Sequence, residues 1–144
     1  MKENEEKEYY AVVIWEDLDG KSHIVGTLAY FEGKYYFKYE KASLKSARAK
    51  NFTDIAAFND DNKLYISENS LFNFFKMRVS DKVQEKPEAL AELIQKHGRS
   101  SVDDISVREI PKIYRPALKA EIQRIEKDQK EAMERYSMER EIGD

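Results

Sequence analysis

Short apolar runs separated by turn-forming residues fill the first forty positions, and this pattern predicts strands. Tyr9 to Trp15 contains only aromatic, β-branched and alanine residues, as expected of a strand that is apolar on both faces. Leu18-Asp19-Gly20-Lys21 follows, and Asp-Gly tolerates the positive φ of a tight hairpin turn. His23 to Phe31 then reads as a second strand, Glu32-Gly33-Lys34 as another turn, and Tyr35 to Tyr39 as a third strand. Three strands joined by two short turns make an antiparallel meander.

The period then lengthens. Lys41 to Lys50 lacks β-branched residues and carries Ala42, Leu44, Ala47 and Ala49, which predicts a short helix. Asn51 to Lys63 is irregular, with Asn59-Asp60-Asp61-Asn62 a turn, and Leu64 to Ile66 is a brief strand. Ser67 is placed to cap a helix running to about Val79, with Leu71, Phe72, Phe74 and Phe75 inward. Pro87 suits the first turn of a helix that stops at His97-Gly98, and Val102, Ile105 and Val107 predict an extended piece. Beyond Pro116, Leu118, Ile122, Ile125, Gln129, Ala132 and Tyr136 alternate at spacings of four and three. That is a heptad seam on a helix of about 25 residues, with an otherwise charged surface.

The expected fold is therefore α+β: a small antiparallel meander or partly open barrel packed with short helices, plus a long C-terminal helix. The expected boundaries are a charged, disordered tail at 1–8, an α+β domain at 9–111 and an amphipathic helix at 116–142. Leu118, Ile122, Ile125 and Tyr136 are the candidates for self-association, as a homodimer through this helix or as a seam that packs within the chain.

Composition narrows the function. There is no cysteine, so disulfides, thiolate metal sites and cysteine nucleophiles are excluded, and a cytoplasmic location fits. Charged residues make up 37% of the chain yet nearly cancel to a net −3, unlike a strongly basic nucleic-acid binder. No apolar run approaches the ~20 residues of a membrane helix, so no membrane partner is expected, and MKENEEKE carries no secretory h-region.

Groups suited to catalysis are sparse. His23 and His97 lack Cys, His or acidic neighbours at ligand spacing and read as structural. Asp60-Asp61 and Asp103-Asp104 are adjacent pairs without the alternate spacing of a calcium loop. The five glycines are scattered, which rules out a phosphate-cradling loop, and no serine has a nucleophile-elbow context. These observations predict a protein that is not an enzyme and needs no cofactor or metal. One cluster points elsewhere: Lys38, Lys41, Lys45, Arg48 and Lys50 lie next to Tyr35, Tyr36 and Tyr39. Aromatic sheet faces flanked by bases stack and neutralise single strands, with Tyr36, Lys38, Lys41, Lys45 and Arg48 as the contact set. The competing reading is a solvated basic face diluted by Glu32 and Glu40.

Three short motifs occur in a telling order: Val25-Gly26-Thr27-Leu28, Tyr36-Phe37-Lys38-Tyr39, and Leu71-Phe72-Asn73-Phe74-Phe75. Leu93 to Val107 follows, with Gly98-Arg99-Ser100-Ser101-Val102 inside it. Over about residues 9–108 the chain resembles the N-terminal subdomain of HipA-type toxin kinases, where a VG-x-L strand, an F-x-Y strand and an FNFF-like helix start build a small barrel with packed helices. It departs at Lys76-Met77-Arg78-Val79-Ser80, where the family has an asparagine, two leucines and a proline, and at Asp103-Asp104 in place of glycine-alanine. The kinase portion has no counterpart here, so the resemblance implies no kinase activity. It implies a module that packs against a kinase body, as split toxin–antitoxin systems use a separate inhibitory protein. Similarity to HIRAN-type modules, small barrels that bind single-stranded DNA ends, implies the alternative.

The leading expectation is a non-enzymatic protein–protein interaction module, antitoxin-like or inhibitory, whose partner is a kinase-like toxin or other enzyme. Phe74, Met77 and Arg78 are the partner-binding candidates, being residue types enriched in interface hot spots. A HIRAN-like single-strand binder is the second reading. A mobile-element (phage) inhibitor of a host nucleic-acid enzyme or defence system, with acids mimicking phosphate, is the third.

Overall fold

The computed structural model describes residues 7–68, 70–98 and 103–142, with side chains described as far as 137. The charged tail up to residue 6 and the 99–102 stretch with Val102 lie outside the described residues. The chain forms two compact units, Met1–Ile110 and Pro111–Asp144.

The first unit is built on five antiparallel strands: β1 (Tyr9–Glu16), β2 (Ser22–Phe31), β3 (Lys34–Tyr39), β4 (Tyr65–Ser67) and β5 (Ile105–Glu109). Their order is β4-β3-β2-β1-β5, an open sheet that does not close into a barrel. The meander forms as its alternation and turns predict. β5 joins the free edge of β1, with Val13 opposite Val107. The fold is α+β.

Register sorts the side chains onto two faces, because successive residues of a strand point to opposite sides. One face carries Ala11, Val13, Leu28, Tyr35, Phe37 and Tyr39, all buried. Against it lie α1 (Lys41–Ala49), through Leu44 and Ala47, and α3 (Glu88–Gln95), through Ala89, Leu90 and Leu93. Phe37 is the hub, with ring centroids 4.3 Å from Phe58 and 5.9 Å from Phe75. Burying each such ring stabilises the fold by about 1.5–3 kcal/mol. On the opposite face Tyr10, Phe31 and Tyr36 stack in a column, at centroid spacings of 5.9 and 4.5 Å.

The helix expected from Ser67 to Val79 shrinks to one turn, α2 (Asn73–Lys76). Ser67 instead ends β4, where its hydroxyl donates to the Ser70 carbonyl at 2.5 Å. Phe72 is extended at φ −55°, ψ 140°, so the helix cannot begin before Asn73. It ends because the chain is drawn elsewhere: the Ser80 amide and hydroxyl both donate to Glu92 on α3, at 2.6 and 3.0 Å. Leu71 and Phe75 face inward as expected, while Phe72 and Phe74 are half-buried.

α3 stops at Gln95, two residues earlier than expected, and the Gly98 amide returns to the Leu93 carbonyl at 2.8 Å. Gly98 has φ +56°, and a Cβ there would lie 2.8 Å from Val107 Cγ2. Only glycine lets the chain pass so close to β5. In the second unit a single 3₁₀ turn, Lys112–Tyr114, leads into α4 (Arg115–Ile142).

Candidate functional site

Met77 is 83% exposed at the end of the α2 turn, beside the half-buried Phe74. Arg78 takes a different role from the one expected of a contact residue. Its side chain is only 6% exposed, and its guanidinium lies 4.5 Å from the centre of the Phe74 ring. One nitrogen donates to the Gly98 carbonyl at 2.8 Å and the Ile105 carbonyl at 3.4 Å, and another pairs with Asp103. Arg78 therefore clamps the end of α3 to the start of β5 and fixes the plane of Phe74. At the surface this leaves the exposed Met77 and the half-buried Phe74.

The tyrosine and basic cluster is largely engaged within the fold. Tyr36 is buried and stacked on Phe31. Tyr35 donates to the Lys86 carbonyl at 2.9 Å, and burial raises its phenol well above the ordinary value. Tyr39 donates to the Phe58 carbonyl at 2.5 Å and accepts from the Ile55 amide at 3.0 Å; burial pushes its phenol up to about 12. Lys38 pairs with Glu40 at 2.5 Å, and the Thr27 hydroxyl donates to the same carboxylate oxygen at 3.1 Å.

On α1, Arg48 holds two carboxylates: Nε reaches Asp54 at 2.9 Å and Nη1 reaches Asp61 at 2.9 Å. Lys41 donates to the Asn62 side chain, and Lys50 lies 3.4 Å from Asp19. Lys45 is exposed to solvent. Neighbouring acids thus neutralise much of the patch, and none of the three tyrosines presents an open face.

His23 has an acidic partner that sequence spacing did not reveal. The β1–β2 hairpin brings its Nε2 to 2.8 Å from Asp17 Oδ2, with both residues buried. Asp17 Oδ1 also accepts the amides of Asp19 and Lys21, at 2.9 and 3.0 Å. The His23 ring first, and then the Lys21 amide, hold the Asp17 carboxyl below its ordinary range. With Trp15 packed 5.5 Å from the imidazole, this is a pin for the turn, closed off from solvent. The hairpin register was the signal that could have exposed it. Among the described residues no three of His, Cys, Asp and Glu are grouped to hold a metal ion.

On α4, Ile122 is buried, Leu118 and Ile125 are half-buried, and Tyr136 is 62% exposed, next to Met133 at 69%. The seam therefore changes character along its length, apolar and shielded at first, then open. No described helix is long and apolar enough to cross a membrane. No protein-family model matches the chain, and neither does any curated protein or solved structure.

Proposed function

We propose that this chain is a cytoplasmic protein-binding module that performs no covalent chemistry and acts as an antitoxin-like or inhibitory partner of an enzyme. The observation that carries this reading is the exposure of Met77 beside an aromatic ring held in place by a buried guanidinium. A flexible thioether adapts to the shape of a partner's pocket, while the ring beside it is already held and has little freedom left to lose on binding. Outside an interface, an 83% exposed methionine beside Phe74 gains nothing from burial. The resemblance to a subdomain that packs on a kinase body supports the same reading, because α2 is the element that carries the FNFF-like motif.

The test compares the full chain with Met77→Glu as bait in the native host, scoring stoichiometric partners. The wild-type chain recovers a defined protein, and the variant loses it while its unfolding free energy stays within about 0.5 kcal/mol. Recovery of no stoichiometric partner by the wild-type chain would overturn the proposal.

A further inference from the structure

We propose that the β1–β2–β5 end of the sheet, on the face opposite α1 and α3, is a docking surface for a basic, apolar-bearing segment of the partner protein. The inference rests on the reading of the chain as a protein-binding module and adds the chemistry of what it binds. Register places Ser106, Ile14 and Ile24 in one row across three strands, with Glu16 opposite Ser22 in the next. Ile24 is 42% exposed and Ile14 half-buried, so this end of the face presents two branched apolar side chains to solvent. Leu18, at the tip of the adjoining hairpin, is 98% exposed.

At the Ile14 and Ser106 end of this row, and over Glu16 and Ser22, lies a cleft of about 640 Å³. Small-molecule pockets usually enclose about 300–1,000 Å³, so the cleft has room for a few side chains. Its rim is mainly acidic: Glu16, Asp103 and Asp104 against Arg108. Arg78 already neutralises Asp103, whereas Glu16 and Asp104 are exposed. Their backbones are tied by a 3.0 Å hydrogen bond from the Glu16 amide to the Asp104 carbonyl, so the two carboxylates are carried on a fixed frame.

A mainly polar cleft with Ile14 in its lining and the carboxylates of Glu16 and Asp104 at its rim matches a lysine or arginine. The aliphatic stem lies along Ile14 while the charged head reaches Glu16 and Asp104, and Ile24, next to Ile14 in the row, meets an apolar side chain of the same segment. Arg108, two residues along β5 from Ser106 and in the same lining, supplies donors for a carbonyl or carboxylate of the same segment and so sets its direction.

The test uses the isotopically labelled full chain, titrated with an alternating Lys–Leu peptide and with a matched Glu–Leu peptide. The Lys–Leu peptide shifts the amides of Ile14, Glu16, Ser22 and Ser106. Its affinity falls about tenfold or more in the Glu16→Lys, Asp104→Lys variant, which keeps a folded spectrum. An equal response to the two peptides, or no response to either, overturns the docking surface. So does a doubling of mass without peptide that the Glu16→Lys, Asp104→Lys variant abolishes, which would show the face filled by a second copy. Shifts confined to Phe74–Met77 overturn the cleft and leave the module reading standing. That reading fails separately, if the native host yields no stoichiometric partner.

Discussion

The ring of Phe37 lies directly against Gly26: a Cβ added at Gly26 would come 2.6 Å from Phe37 Cε1 and 3.0 Å from the Lys38 carbonyl oxygen. The residues sit on neighbouring strands, with Leu28 opposite Phe37 and Tyr39 opposite Gly26, so the ring crosses the pair diagonally. Two of the short motifs in the sequence, VG-x-L and F-x-Y, thus meet at one contact. The glycine leaves space for the aromatic hub of the core.

Gly26→Ala therefore forces the hub to move, and since one of the crowded atoms is backbone, the strain cannot be relieved by a rotamer change alone. The expected loss is about 1–3 kcal/mol of unfolding free energy, measured by urea denaturation. In a Phe37→Leu background the same substitution costs less, because the crowding ring is gone. A double-mutant cycle that came out additive would show the contact to be unimportant.

Arg78 offers a second test. Arg78→Met keeps much of the aliphatic stem but leaves Asp103 without its cation and the Gly98 and Ile105 carbonyls without their donor. Removing one partner from a mostly buried pair strands the other, and about 2–4 kcal/mol of stability is expected to go. Asp103→Asn costs less, because the asparagine keeps an acceptor and the Arg78 guanidinium keeps the Gly98 and Ile105 carbonyls. Denaturation midpoints of the two variants and of the double variant measure the coupling.

These contacts show what was legible in the sequence. The meander could be read because alternation and Asp-Gly turns are local. α1 could be read because its composition is helical throughout. The segment after Ser67 was misread because Leu71, Phe72, Phe74 and Phe75 are spaced like a buried helical face. That face exists, but Ser80 and Arg78 pull the chain out of the helix towards Glu92 and Asp103, partners 12 and 25 residues away. No local pattern carries that information. Met77 and Phe74 could be picked out by residue type alone, whereas the internal role of Arg78 depends on a loop and a strand that arrive later in the chain. The basic face of α1 was visible, but the acids that neutralise it, Asp54 and Asp61, come from an irregular stretch whose path is set by tertiary packing.

The Asp17–His23 pin predicts behaviour in acid. Asp17 has a folded pKa held below its ordinary 3.8, first by the His23 ring and then by backbone amides. A depressed carboxyl contributes stability that is present above the ordinary value and lost as pH falls through the folded one. Glu92, lowered from 4.5 chiefly by the Ser80 amide, acts in the same direction. The denaturation midpoint should accordingly fall as the solution is taken below about pH 4. Asp17→Asn should flatten that limb while lowering stability at neutral pH. An acid limb of unchanged slope in this variant would show that the pin does not contribute.

Tyr39 predicts the alkaline limb. Burial pushes its phenol up to about 12, against an ordinary 10.0. Its contribution is therefore complete below the ordinary value and lost as pH rises from there through the folded one, since only the unfolded chain ionises readily in that window. Ultraviolet titration should show Tyr39 ionising above the ordinary 10.0, together with loss of the folded signal. Tyr39→Phe removes the titration but also strips partners from the Phe58 carbonyl and the Ile55 amide. Leaving those two buried groups unpaired should cost about 1–3 kcal/mol at neutral pH, with a shallower alkaline limb. If the phenol instead ionised at the ordinary 10.0 in a folded protein, the hydrogen bonds that tie the segment from Ile55 to Phe58 onto β3 would not be as tight as the geometry requires.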